Sequence, residues 1–154
     1  MKVKSIEVKS VKIAQHMSEE TLAFTASLWV NGKRVGYLKN TGQGGPTNID
    51  LYIMKDGGIV RSDYTFDDLD EYVKESHSDL EYCEVEFFLY SLICDEDERR
   101  ENKKLCRKRT VIRKPGCEYK EGEYEMYKIP YTPEFAVRIR KELGEDTYIL
   151  NEHI

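Results

Sequence analysis

The chain has 154 residues, 34% of them charged and 40% hydrophobic, with a formal net charge of −5. It is long enough for one domain with a real core and short for two, and the balance suits a soluble domain with a well-solvated surface. No apolar run approaches the roughly 18 residues of a membrane helix, and Met1-Lys2-Val3-Lys4 lacks an apolar leader, so no membrane partner and a cytoplasmic location are expected.

Residues 2–14 read as a strand in which Ile6 and Val8 share one parity and Val11 and Ile13 the other. A β-bulge near Lys9-Ser10 would bring both pairs onto one face. From Leu22 to Val30 apolar residues alternate with Ala23, Thr25, Ser27 and Trp29, the period of a strand with one buried face. Asn31-Gly32 then predicts a two-residue type I′ turn. That register sets Leu28 opposite Val35, Ala26 opposite Tyr37 and Trp29 opposite Arg34, with a cation–π contact expected in the last pair. The returning strand runs into Asn40-Thr41-Gly42-Gln43-Gly44-Gly45-Pro46-Thr47-Asn48, the most unusual stretch of the chain.

Ile49 to Met54 is a helical turn or a strand, closed by a turn at Asp56-Gly57-Gly58. Thr65 looks like an N-cap, with Asp67 and Asp68 in the first turn and Phe66, Leu69, Tyr72 and Val73 at helical spacing. Ser78 with Glu81 offers a capping box for the next helix. There Val85, Phe88, Leu89, Leu92 and Ile93 form the cleanest apolar stripe in the chain. Beyond Cys94 the stripe stops, and Asp95 to Arg109 is almost wholly charged apart from Leu105. A break and a second, exposed helix are expected there.

Thr110 to Lys114 reads as a strand, and Tyr119 to Tyr131 as a second hairpin turning at Glu121-Gly122-Glu123. Thr132-Pro133-Glu134 is a strong helix start, with Phe135, Ala136, Ile139 and Leu143 inward and Gly144 as the stop. Thr147 to Leu150 reads as a closing strand. The whole is a single α+β domain over 1–154. Its antiparallel sheet has an N-terminal three-stranded meander packed by three to four helices, and a charged helical segment around 95–109 projects.

Charge is distributed in blocks. Residues 63–98 carry −13 and residues 99–114 carry +8. Arg99, Arg100, Lys103, Lys104, Arg107 and Lys108 form a candidate basic surface for phosphates, with 100, 103, 104 and 107 on one helix face. The adjoining acidic block either neutralises it, within the chain or across a homo-oligomer, or imitates a phosphate backbone, or is the solvated side of two helices. Trp29, Tyr124 and Tyr127 are candidate aromatic contacts for a protein, the alternative being packing within a hairpin.

The glycine-rich stretch can expose consecutive N–H groups to an anion, with Thr47-Asn48 as the cap of a following helix. It lacks the Lys-Ser/Thr of a P-loop and the spacing of G-x-G-x-x-G. Its candidate ligand or partner residues are Asn40, Thr41, Gly42, Gln43, Gly44, Gly45, Thr47 and Asn48. The four cysteines (83, 94, 106, 117) form no Cys-x-x-Cys pair and the three histidines are scattered, so reduced structural thiols, no metal and no cofactor are expected. No G-x-S-x-G or H-E-x-x-H occurs, and no catalytic residue is assigned.

The run Phe24 to Gly36, continuing through Asn40-Thr41-Gly42-Gln43-Gly44-Gly45, resembles small bacteriophage and mobile-element proteins. In those a V-(N/D)-G-K hairpin leads to an N-x-G-x-G-G loop. The resemblance covers about 30 residues. It implies origin in a phage or mobile element. The leading expectation is a non-enzymatic accessory protein in the cytoplasm of a bacterial host, with a host protein as partner in takeover or anti-defence. A nucleotide-like ligand on the glycine-rich loop is the second reading, and nucleic acid on the basic 99–114 segment the third.

Overall fold

The Asn31-Gly32 turn takes φ of 50° and 76°, as a two-residue hairpin loop of this hand requires. It joins β2 (Ala23–Val30) to β3 (Lys33–Thr41). The computed structural model describes residues 2–78 and 84–154, an α+β chain with three helices and antiparallel sheets. Two compact units divide it, Met1–Asp97 and Glu98–Ile154.

In the first unit β1 (Ile6–Ile13) pairs with β2, and the ladder shifts between Lys9 and Lys12 where Ser10 adopts φ 53°. The bulge does what the parity change demands. Ile6 and Val11 are buried, and Val8 and Ile13 pack against the same core.

The β2–β3 ladder keeps the expected Trp29–Arg34 pair and then slips by one residue, setting Leu28 against Gly36 and Ala26 against Leu38. The Leu28–Val35 and Ala26–Tyr37 pairs are thereby corrected. Without the slip Val35 and Leu38 would face opposite ways; with it both lie in one core. The cation over Trp29 is also different from that expected. Lys9 from β1 sits 4.1 Å from the ring centroid, while Arg34 stacks over Tyr37 at 4.6 Å.

A fourth strand extends the N-terminal meander of β1, β2 and β3. β4 (Asn48–Asp50) pairs with β3, Leu38 opposite Ile49, giving the order β1-β2-β3-β4. Three residues are too few for alternation to announce a strand. β5 (Tyr52–Lys55) and β6 (Gly58–Arg61) follow as a second hairpin turning at Asp56-Gly57.

α1 (Phe66–Ser76) starts with a reciprocal capping box: the Asp68 N–H donates to Thr65 Oγ1, and the Thr65 N–H donates to the Asp68 carboxylate at 2.7 Å. Leu69 and Val73 are fully buried, whereas Phe66 is 46% exposed. As the first residue of the helix it precedes the turns that reach the core. The Ser78–Glu81 box involves Glu81, which lies outside the described residues.

α2 (Val85–Cys106) is one helix of 22 residues, which overturns the expected break after Cys94. Its Val85, Phe88, Leu89 and Ile93 are buried in the first unit. The charged stretch needs no buried stripe of its own, because Glu, Lys and Arg are good helix formers and pair at short spacing, as Glu101 and Lys104 do at 2.7 Å. Among the described residues no helix is long and apolar enough to cross a membrane.

In the second unit β7 (Thr110–Arg113) is central, between β8 (Glu125–Tyr127) and β9 (Tyr148–Ile149). The hairpin expected within 119–131 is therefore replaced by β7–β8 pairing, Thr110 opposite Tyr127. Pairing with a strand already set by Val111 and Ile112, fully or almost fully buried, outweighs a local turn at Gly122. α3 (Pro133–Leu143) begins as expected, with the Phe135 N–H donating to Thr132 Oγ1 at 3.1 Å, and packs Ala136 and Ile139 on Ile112 and Ile149.

Candidate functional site

Asn40 ends the regular part of β3 with its side chain buried, and its amide organises the glycine-rich loop. Its Oδ1 accepts from Thr21 Oγ1 and from the Gly42 N–H, both at 2.9 Å. Its Nδ2 donates to the Gly45 carbonyl at 3.1 Å and to Thr47 Oγ1 at 3.3 Å. These four bonds are the full capacity of a carboxamide. Gly42 takes φ 84°, and a Cβ there would collide with the Met17 carbonyl oxygen and press on Ala23. Its own carbonyl accepts from the N–H groups of Glu19 and Glu20, closing the 15–21 connection onto the loop.

Two side chains of α2, one turn apart, hold this assembly. The Thr47 N–H donates to Glu86 Oε1 at 2.9 Å, and the Leu22 N–H donates to the Tyr90 hydroxyl at 3.0 Å. Burial raises the Tyr90 hydroxyl pKa, and the same cause raises the Cys94 thiol beside it. Between the two anchors Phe87 is 48% exposed. A groove of about 280 Å³ runs along the loop here, lined by Thr21, Gly45, Pro46, Glu86, Phe87 and Tyr90 among others.

Glu86 also lines an adjoining groove of about 440 Å³ between α1 and the start of α2, with Phe66, Asp67, Asp70, Lys74, Glu84 and Val85. Carboxylates dominate that lining. Lys74, the cation among its described lining residues, is paired with Asp70 at 2.5 Å.

The loop residues singled out in the sequence do come together, though in structural roles. Asn40, Gly42 and Thr47 are buried. The N–H groups of Gly42, Gly44 and Thr47 donate to Asn40, Thr21 and Glu86, so they are already engaged within the fold. Thr41, Gln43, Gly44, Gly45 and Asn48 are exposed. Thr47-Asn48 caps no helix, since β4 begins at Asn48, which corrects the cap expected there.

The remaining candidates lie apart from this loop in the sequence and in role. Trp29 is half-buried, its indole N–H donating to Ser27 Oγ at 3.1 Å. In the second unit Tyr127 meets Phe135 edge-on at 5.3 Å, and Tyr124 packs on the Cys106, Val111 and Leu150 cluster under the Arg113 guanidinium, 4.3 Å from its ring. Arg99, Arg100, Lys103 and Lys104 lie on the last turns of α2, whereas Arg107 and Lys108 follow its end, so the expected four-residue helix face loses Arg107.

Sequence reading missed Phe66, Glu86, Phe87 and Tyr90. The available signal was the pair of polar-tipped residues, Glu86 and Tyr90, four apart on the border of an apolar stripe. Comparison of the chain with protein-family models, with curated proteins and with solved structures finds no match.

Proposed function

We propose that this protein is a non-enzymatic accessory protein of a phage or mobile element that binds a host macromolecule, in the manner of a takeover or anti-defence inhibitor. The observation that carries the binding reading is Phe87. An aromatic side chain 48% exposed is held in a groove whose walls, the glycine-rich loop and α2, are fixed to each other on both sides of it. An aromatic anchor on a rigid support is what interface hot spots use, because little side-chain freedom is lost on docking. A protein suits this groove better than a nucleotide. The N–H groups of Gly42, Gly44 and Thr47 are engaged internally, and Glu86 in the wall, together with Glu20 beside Gly44, repels phosphate.

Replacing Phe87 by a photocrosslinking phenylalanine analogue tests the reading in bacterial cells. The expected result is a single crosslinked host protein, not obtained with the same analogue at Val137, which is 62% exposed on α3. The same products from both positions, or none from position 87, would overturn it.

A further inference from the structure

Resting on that reading, we infer that the face spanning the two grooves takes a cationic segment of a partner protein, one that carries lysine or arginine around an aliphatic anchor. The grooves meet at Glu86, which lines both. Among their apolar lining residues, Phe66 and Phe87, one from each helix, stand 46% and 48% exposed. Phe66, Asp70 and Lys74 are four residues apart and share one side of α1, so Phe66 stands at the start of a row that continues into charge.

Charge selects the partner's sign. Among the described residues, Asp67, Asp70, Glu84 and Glu86 line the α1–α2 groove against one cation, Lys74, and Asp70 already pairs with Lys74. The opposing effect is the partial positive charge of about half a unit at the start of a helix. For α1 that charge is answered by Asp67 and Asp68 in its first turn. Three carboxylates beyond the Asp70 pair outweigh it. The surrounding field has the same sign, since residues 1–97 hold ten Lys and Arg against eighteen Asp and Glu, so a basic segment is attracted before contact. The aliphatic anchor would sit against the phenyl rings, and its flanking cations against Asp67 and Glu84.

The test uses three short fluorescein-labelled peptides of helical period, composed of leucine and lysine, leucine and glutamate, or serine and lysine, titrated against the full chain by anisotropy. The leucine–lysine peptide should bind saturably, the serine–lysine peptide at least about tenfold more weakly, and the leucine–glutamate peptide not at all. Phe66→Ala with Phe87→Ala should weaken binding by about tenfold or more. Asp67→Asn with Glu84→Gln should weaken it and flatten its salt dependence. Both pairs are solvent-exposed, so urea midpoints near that of the parent are expected and confirm that the variants fold. Equal binding by the leucine–glutamate peptide, or unchanged binding in both double variants, would overturn the inference. A crosslink from position 87 without leucine–lysine binding overturns the cationic assignment and leaves the docking reading standing. Loss of both results overturns both.

Discussion

Glu86 of α2 accepts the backbone N–H of Thr47 at 2.9 Å across 39 residues of chain, tying the helix to the far end of the glycine-rich loop. One turn along, Tyr90 does the same for Leu22. The loop is thus a built wall, and its stability should depend on a few buried polar contacts.

Asn40 carries the largest share of these. Asn40→Ala removes four hydrogen bonds and leaves buried partners unsatisfied, so a loss of about 2–4 kcal/mol is expected. Asn48→Ala, at an exposed position a few residues on, should stay within about 0.5 kcal/mol. Urea unfolding at unchanged m-value measures both. Equal effects would mean that the Asn40 amide does not organise the loop.

Two glycines with similar dihedrals separate steric from conformational cost. Gly42 and Gly57 take φ of 84° and 77°, but only at Gly42 does an added Cβ meet other atoms, the Met17 carbonyl and Ala23. Gly57→Ala should cost about 1 kcal/mol for the left-handed backbone alone. Gly42→Ala should cost at least about twice that, since a backbone carbonyl must also move. The comparison is read from the difference in thermal midpoints. Matching shifts would remove the steric argument.

In the second unit Arg140 forms a two-pronged pair with Glu152 at 3.0 and 2.6 Å, and the Tyr131 hydroxyl donates to the same carboxylate at 3.0 Å. The Arg140 guanidinium holds the Glu152 carboxyl below its usual range, and Tyr131 adds to this. A depressed folded-state pKa stabilises at pH values above the unfolded carboxyl value, and the stabilisation is lost as pH falls through the folded one. Arg140→Gln should therefore cost about 1 kcal/mol at neutral pH, with the gap to the parent closing in acid. Denaturation midpoints between neutral and pH about 3 provide the measurement. A gap that is constant with pH would assign the loss to packing of the arginine stem.

Much of the local structure was legible because it is coded by neighbours in the chain. The Lys9-Ser10 bulge followed from a parity change, the Asn31-Gly32 turn from its need for positive φ, and the Thr65 and Thr132 caps from short side chains before helical spacing. The candidate site was half legible. The glycine-rich loop stood out by composition, but the residues that fix it were hidden, since Glu86 and Tyr90 look like ordinary helix residues until the fold sets them against Thr47 and Leu22.

The sequence by itself determined the α+β class, the hairpin turn, the helix starts and the buried stripe of α2, all set by periodicity, capping and turn chemistry within a few residues. Only the tertiary structure decided the register slip that buries Val35 with Leu38, the unbroken course of α2 and the pairing of β8 with β7. In each of these a distant surface supplied the packing or the strand partner. A sequence window carries no record of what will lie opposite it, and burial against that partner is worth more than local preference.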